Sequence, residues 1–398
     1  MPNTFQKTEN MKILFVIDTF DTNNNGTSIS AQRFAEELKR QGHEVKILCA
    51  DNIPSEDKFL VNEFVVHGFD NLIKKHGFQF AAVNNDVIRQ AIEWADVVHI
   101  FMPFALETAA AAMAQDMGKP CTGAFHIQPE NLWSSVNMGK IDFIQRATYD
   151  FWWRYIYRRF RHIHVPSAFM GRMLEKRGYK SKIHVISNGI QDDFIAAGHR
   201  NMEYGKPKKS SEYEGKIIIM MVGRLAHEKR QDVIIDAVQY SRYRDKIQLI
   251  FAGKGPEYEK YLRLGKKLPH EPEFVYVGRD RLIELLSQCD VYVHASDMES
   301  EAISCIEAFA TGLVPVIANS EVSATPQFAL DGRSLFIPGN PQDLARSIDY
   351  WLDHPNERRY MEELYQKAAK AYTLENSVRQ FERMLKEEIE DNAKDHAQ

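Results

Sequence analysis

The chain has 398 residues, long for one ordinary core and suited to two domains. Hydrophobic residues make up 44% and charged residues 26%, as in soluble globular proteins, and a net charge of -5 argues against a general nucleic-acid binder. The 4 cysteines are scattered without a CxxC, which favours buried reduced thiols over a disulfide framework, and no apolar stretch approaches the roughly 18 residues of a membrane-crossing helix.

The opening MPNTFQKTEN is polar and lacks the apolar segment of a signal peptide. It is expected to be a short disordered lead, with Met11 as an alternative start. A cytoplasmic chain, free or peripheral at the inner face of the cell membrane, is the matching expectation.

Residues 11–17 (MKILFVI) form a continuous apolar run, the mark of a parallel strand covered on both faces. A polar loop over 18–28, containing Asn23-Asn24-Asn25-Gly26, precedes a helix over 29–41 that Gly42 stops. EVKILC (44–49) is the next strand, and this rhythm indicates a βαβ unit of a doubly wound sheet. Strands over 96–101 and 121–126, an alanine-rich helix over 106–117 between them, and a strand at 184–186 complete the first half.

NMEYGKPKKSSEYEG (201–215) is the best linker candidate. Past it the alternation restarts. Strands are expected over 216–222, 247–252, 274–277, 291–295 and 314–318. Helices are expected over 231–240, 257–266, 281–287, 301–310 and much of 357–390. The fold class is α/β, with two Rossmann-like domains, 1–205 and 206–398, facing a cleft. The last helix is placed as an element that packs back on the first domain. Ligands belong at the carboxyl ends of the strands.

Two pairs of charged residues follow strands of the second half. Gly223 ends a strand, and Arg224 and Lys229 come before the next helix. Arginine grips phosphate oxygens through two N–H groups and lysine adds a point charge. Taken alone, the pair reads equally well as a solvated loop. Glu299 follows the 291–295 strand, and Glu307 lies inside the helix after it. Carboxylates there suit hydroxyl pairs, while free N–H groups of a first helical turn suit a phosphate. Without context, Glu299 is a helix-start charge and Glu307 an exposed helix residue.

The ordered set of motifs resembles the retaining glycosyltransferases of GT-B architecture, glycosyltransferase family four. The matching stretches are Val222-Gly223-Arg224 with Lys229, FAGKGP (251–256), Val277-Gly278, and Glu299 to Glu307 with Gly312 and Pro315-Val316-Ile317. Asn188-Gly189-Ile190 and Gly42-His43-Glu44-Val45 match in the first half, so the resemblance spans about residues 11–372. It implies that Arg224 and Lys229 bind the donor diphosphate and that Glu307 holds the ribose hydroxyls. Glu299 would face the donor sugar, with the N–H groups of Ala302 and Ile303 beyond it. Gly223, Lys254, Gly278 and Arg279 would line the donor site, and Gly26 and Thr27 the first-domain loop near the phosphates. His126, before Gln128-Pro129-Glu130-Asn131, would lie beside the reacting sugar. A histidine at a strand end is otherwise structural.

The chain departs from the family pattern in three loops. Gly26-Thr27 carries one glycine where many members have two. Ser300-Glu301-Ala302 replaces a glycine-rich stretch, and Asn319 to Ser323 replaces a glycine pair leading to a glutamate. No Asp-x-Asp occurs, so no metal and no cofactor is implied. The resemblance implies a UDP-sugar donor, with uracil assigned by family habit. It also implies retention of the anomeric configuration. With no nucleophilic carboxylate to name, a same-face internal return is the expected mechanism.

FIQRATYDFWWRYIYRRFRHIH (143–164) bears on the acceptor. Arg146, Asp150, Arg154, Arg158 and Arg161 would form one helical stripe, beside Phe151, Trp152, Tyr155 and Ile156. Such a face suits anionic lipid headgroups. A core helix with solvated arginines is the more ordinary reading, because apolar faces usually meet their own core. The chain looks similar to diacylglycerol glucosyltransferases and phosphatidylinositol mannosyltransferases. A lipid acceptor is therefore expected, with a soluble or polymeric glycan as the alternative. Trp152, Arg154, Arg158 and Arg161 are the expected membrane contacts. A sugar epimerase, a phosphorylase and a non-catalytic nucleotide-sugar binder are the competing classes. A dinucleotide enzyme is disfavoured, because no GxGxxG follows the first strand.

Overall fold

A computed structural model describes residues 10–22, 26–64, 79–130 and 142–396. All but Asn10 of the expected disordered lead and the Asn23 to Asn25 part of the first loop lie outside the described residues, as does Asn131. The chain divides into two units, Met1–Ser187 with Leu374–Gln398, and Asn188–Thr373.

The first unit carries β1 (Lys12–Val16), α1 (Gly26–Arg40), β2 (Glu44–Cys49), β3 (Lys58–Leu60), β4 (Glu63–Phe64), β5 (Phe80–Ala81), α2 (Asn85–Trp94), β6 (Val97–Ile100) and α3 (Ala105–Asp116). It continues through β7 (Cys121–Ala124), α4 (Asp142–Tyr155), β8 (His162–Val165), α5 (Ala168–Lys176) and β9 (Lys182–Val185). Its seven-stranded parallel sheet runs β3-β2-β1-β6-β7-β8-β9. Side chains of β1 alternate between two cores. Leu14 and Val16 pack with Ile88, Leu106 and Ile163, whereas Ile13 and Phe15 pack with Phe34, Leu38 and Val97. Burial on both faces explains why these strands read as unbroken apolar runs.

The second unit adds α6 (Asp192–Tyr204), β10 (Ile217–Val222), α7 (Gln231–Val238), β11 (Ile247–Ala252), α8 (Tyr258–Gly265), β12 (Glu273–Val275), α9 (Arg279–Gln288), β13 (Val291–His294) and α10 (Ile303–Ala310). After these come β14 (Pro315–Ala318), β15 (Leu335–Phe336), α11 (Pro341–Asp353) and α12 (Pro355–Ala369). Its six-stranded parallel sheet runs β12-β11-β10-β13-β14-β15. The last helix, α13 (Leu374–His396), belongs to the first unit, where Val378, Phe381, Met384 and Leu385 are fully buried against Phe15 and Phe34.

Three sequence expectations change here. The chain passes between units after Ser187, so the 201–215 stretch is no free linker. Its first residues end α6, where Asn201 Nδ2 donates to Thr311 O at 2.9 Å and Gly198 leaves no room for a Cβ against Ala310 O. Tyr213, further along, is a core residue. The 143–164 segment is not one helix. α4 stops at Tyr155, a 3-10 turn covers Tyr157–Arg159, and His162 starts a buried strand. The expected helix over 357–390 is split between α12 and α13.

Candidate active site

In a doubly wound sheet, ligands bind beyond the carboxyl ends of the strands where the winding direction reverses. In the second unit that point lies between β10 and β13, which are adjacent although two strands separate them in sequence. Gly223 to Lys229 leave β10 there, and Ala295 to Glu299 leave β13.

The β10 exit is fixed by its neighbour. Gly223 N donates to Ala252 O and Leu225 N to Lys254 O, both at 2.9 Å. A Cβ on Gly253 would fall 2.0 Å from Gly223 O, and one on Gly255 would fall 2.1 Å from Leu225 O. The glycines of AGKG therefore permit backbone-on-backbone contact beside the cations. Gln231 Nε2 donates to Arg224 O at 2.9 Å, and Arg230 takes a left-handed conformation (φ 55) that opens α7. Arg224 points outward, with a side chain 44% exposed, and donates to Glu228 at 2.8 Å.

Lys229 and Glu299 meet directly, Nζ to Oε1 at 2.5 Å. His294 Nε2 donates to the same oxygen at 2.9 Å. Burial pushes the Glu299 carboxyl up, but Lys229 and His294 outweigh burial and hold it well below the usual carboxylate range. His294 was missed by sequence reasoning. The available signal was its place as the last residue of β13, five before Glu299. Backbone pairing ties the same loops together, with Asp297 N donating to Glu228 O and Ala324 N to Glu299 O, both at 2.8 Å.

The helix expected from residue 301 begins at Ile303, behind Ala302 in a left-handed conformation (φ 71). Glu301 turns inward, accepting from Asn188 Nδ2 at 2.6 Å and Asn188 N at 3.1 Å. Glu301 thereby anchors this loop from inside. In the first turn of α10, Cys305 N and Ile306 N turn back to Ala302 O at 3.0 and 3.4 Å, which leaves the N–H groups of Ile303 and Ser304 as those without intrahelical acceptors among the described residues. Glu307 is buried on α10. Lys254 lies 3.9 Å above the exposed Tyr276 ring. Gly278 caps α9, and Arg279 pairs with Asp193 at 3.2 Å.

In the first unit, Gly26 and Thr27 are the opening residues of α1 and not part of a loop. His126 follows β7 and is buried. It stacks on Phe101 at 6.0 Å, and its Nε2 has no hydrogen-bond partner among the described residues. Burial, then His164, holds its imidazole well below the ordinary histidine range, so it is neutral at pH 7. Phe125, the residue before it, stacks on Tyr149, which donates to Glu130 at 2.9 Å. Sequence reasoning also missed a buried carboxyl pair at the end of β1. Asp18 N donates to Glu107 Oε1 at 2.9 Å, and Asp18 Oδ1 accepts from Ala81 N at 3.1 Å. Burial raises both carboxyls, Asp18 to about 7.

Two expected membrane contacts are reassigned. Trp152 is a core residue packed against Phe125, because its face of α4 meets the sheet. Arg161 lies beyond the helix and pairs with Asp395 of α13. Arg154 and Arg158 remain exposed, as do Arg146, Phe143, Phe151 and Tyr155.

Two family models match, "Glycosyltransferase Family 4" over residues 24–194 and "Glycosyl transferases group 1" over 205–370. A GDP-mannose-dependent alpha-mannosyltransferase of Mycobacterium tuberculosis is 26% identical over 77% of this chain and 79% of its own length. An alpha-monoglucosyldiacylglycerol synthase of Streptococcus pneumoniae is 22% identical over 78% of this chain and 71% of its own. Among solved structures, HepE of Anabaena in complex with UDP and glucose aligns with TM-score 0.69 at 15% identity, over 95% of this chain and all 100% of that one. The catalytic domain of a Helicobacter pylori cholesterol-alpha-glucosyltransferase is 48% identical over 39% of this chain and 99% of that one, with TM-score 0.37. The chain belongs to glycosyltransferase family four, with the GT-B architecture, and is a hexosyltransferase.

Proposed function

We propose that the protein is a retaining transferase that moves a hexose, glucose foremost, from a UDP-sugar to a hydroxyl of a membrane lipid such as diacylglycerol. The observation that carries the donor half is the Lys229–Glu299–His294 cluster at the switch point of the second unit, beside the exposed Arg224. As the glycosidic bond breaks, charge grows on the departing diphosphate. Cations already in place stabilise that state more than the ground state. This assigns the diphosphate to Arg224 and Lys229, and sugar hydroxyls to Glu299. Glu307 is assigned to the ribose, and the first turn of α10 to a phosphate. Glu299, engaged by two partners, acts as a hydroxyl acceptor, and the leaving phosphate takes the acceptor proton on the same face. His126 in the first unit is the candidate for a substrate contact.

The lipid acceptor is supported by the diacylglycerol synthase relative and by the exposed Phe143, Phe151 and Tyr155 beside Arg146, Arg154 and Arg158 on and just after α4. Aromatic rings with arginines suit an anionic membrane surface at the inner face of the cell membrane. The mannosyltransferase relative favours one second reading, a GDP-mannose donor.

A donor and acceptor screen tests both halves. Nucleoside diphosphate release is measured with UDP-glucose, UDP-galactose, UDP-N-acetylglucosamine and GDP-mannose, against diacylglycerol, a sterol and simple sugars. Acceptor-dependent UDP release with an α-linked lipid product is the expected result. Turnover with GDP-mannose alone overturns the donor, and turnover on soluble sugars alone overturns the acceptor. A strict need for inorganic phosphate points to a phosphorylase instead.

A further inference from the structure

At the far edge of the first unit's sheet, two histidines from adjacent strands converge with a carboxylate from α13. His162 on β8 and His184 on β9 occupy the same face, because His164 pairs in register with His184 and same-face residues alternate along a strand. His162 Nδ1 and His184 Nε2 stand 2.7 Å apart. Glu387 Oε2 lies 4.0 Å from the first nitrogen and 3.9 Å from the second. Among the described residues this is a group of three whose ligand atoms all fall within 4.8 Å of one another.

The opposite nitrogen of His162 is also provided for. Its Nε2 faces Asp391 Oδ2 at 3.3 Å and Glu388 Oε2 at 3.7 Å. That Glu388 oxygen is buried and has no hydrogen-bond partner among the described residues. A carboxylate on the distal nitrogen keeps the proton there and leaves the Nδ1 lone pair pointing at His184. This is the outer support that metal-binding histidines ordinarily have. Glu387 and Asp391 are one helical turn apart, so α13 supplies both the inner and the outer carboxylate.

We propose that His162, His184 and Glu387 form a binding site for a divalent transition metal, zinc foremost, that ties α13 to the β8–β9 edge. Two imidazoles and one carboxylate suit zinc and exclude magnesium and calcium, which take oxygen ligands. Ligand bonds of about 2.0–2.2 Å at tetrahedral angles need ligand atoms about 3.3 Å apart. The two rings open by roughly half an ångström and Glu387 closes by a similar distance, within the reach of one side-chain adjustment. Lys182, now 2.5 Å from Glu387, gives way to the cation. The Glu387 side chain is 33% exposed, which leaves an entry path and a fourth position for water.

The test uses the full chain without a histidine tag, stripped with chelator and titrated with zinc chloride by equilibrium dialysis. Cobalt chloride serves as the spectroscopic probe. Expected are one tight zinc per chain and the visible absorption of tetrahedral cobalt. Both should weaken on the order of 10–100-fold in Glu387→Gln and in His184→Gln. Glu387→Gln is a near-isosteric change at a half-buried helix position, so its fold is checked by circular dichroism and its result stands even if the histidine variant unfolds. Zinc should also slow amide exchange in α13 of the wild type alone. No stoichiometric zinc, or zinc binding that Glu387→Gln leaves unchanged, overturns the proposal.

Discussion

Replacing Lys229 by methionine separates what the Lys229–Glu299 pair does for the fold from what it does for chemistry. Both side chains are mostly buried, at 19% and 12% exposure, so solvent screens the pair little. Removing one partner leaves a buried carboxylate with only His294 beside it. Breaking a buried pair from one side costs about 3–5 kcal/mol, and the surviving histidine bond brings the expectation to roughly 2–3 kcal/mol. Wild-type Glu299, held below its ordinary range, contributes stability that is present above the unfolded carboxyl value and lost only as pH falls through its lower folded value. In Lys229→Met, where burial dominates, the sign reverses: the carboxyl's contribution is present below the unfolded carboxyl value and lost as pH rises through the raised folded value. Urea unfolding at several pH values measures both effects. Turnover should fall on the order of 10²–10³-fold, as when a preorganised charge is removed. Adding Glu299→Gln should restore stability without restoring turnover. Wild-type stability with wild-type turnover in Lys229→Met would refute the reasoning.

Asp18, raised to about 7 by burial, makes the opposite pH contribution. Its stability is present below the unfolded carboxyl value and lost as pH rises through about 7, by roughly 4 kcal/mol in all. Asp18→Asn should therefore flatten the urea midpoint between acid and alkaline pH, and an unchanged slope would sink the assignment. Ala302→Gly should raise stability by about 0.5 kcal/mol, since glycine relieves the left-handed strain and gives some back as chain entropy. Trp152→Ala should cost about 3–5 kcal/mol, whereas Phe151→Ala on the exposed face should change stability by less than about 0.5 kcal/mol. Equal losses would mean that α4 faces the other way. Reversing Arg146, Arg154 and Arg158 to glutamate should abolish sedimentation with anionic liposomes while leaving binding to neutral ones unchanged, and unaltered sedimentation would refute membrane docking.

Legibility in the sequence followed the range of the interactions. Strands buried on both faces were plain, and the bounds of β2 and β11 coincide with their apolar runs. β8 was hidden because HIHV alternates histidine with aliphatic residues, and those histidines are core-facing. α6 was hidden because its polar residues, Asn201 among them, make buried contacts to α10's end. In the site, the spacing of Arg224, Lys229, Glu299 and Glu307 was visible. That Lys229 grips Glu299, 70 residues away, was not. Asp18 and Glu107 were invisible for the same reason, being 89 residues apart.

The return of α13 to the first unit has a consequence for synthesis on the ribosome. Residues 1–187 emerge first, but one face of their sheet waits for Val378, Phe381, Met384 and Leu385. The second unit is an insertion that can finish folding while its host is still open, because its strands and helices are contiguous. Maturation of the first unit therefore comes last. A nascent chain stalled before residue 374 carries an uncovered apolar surface for chaperones to guard.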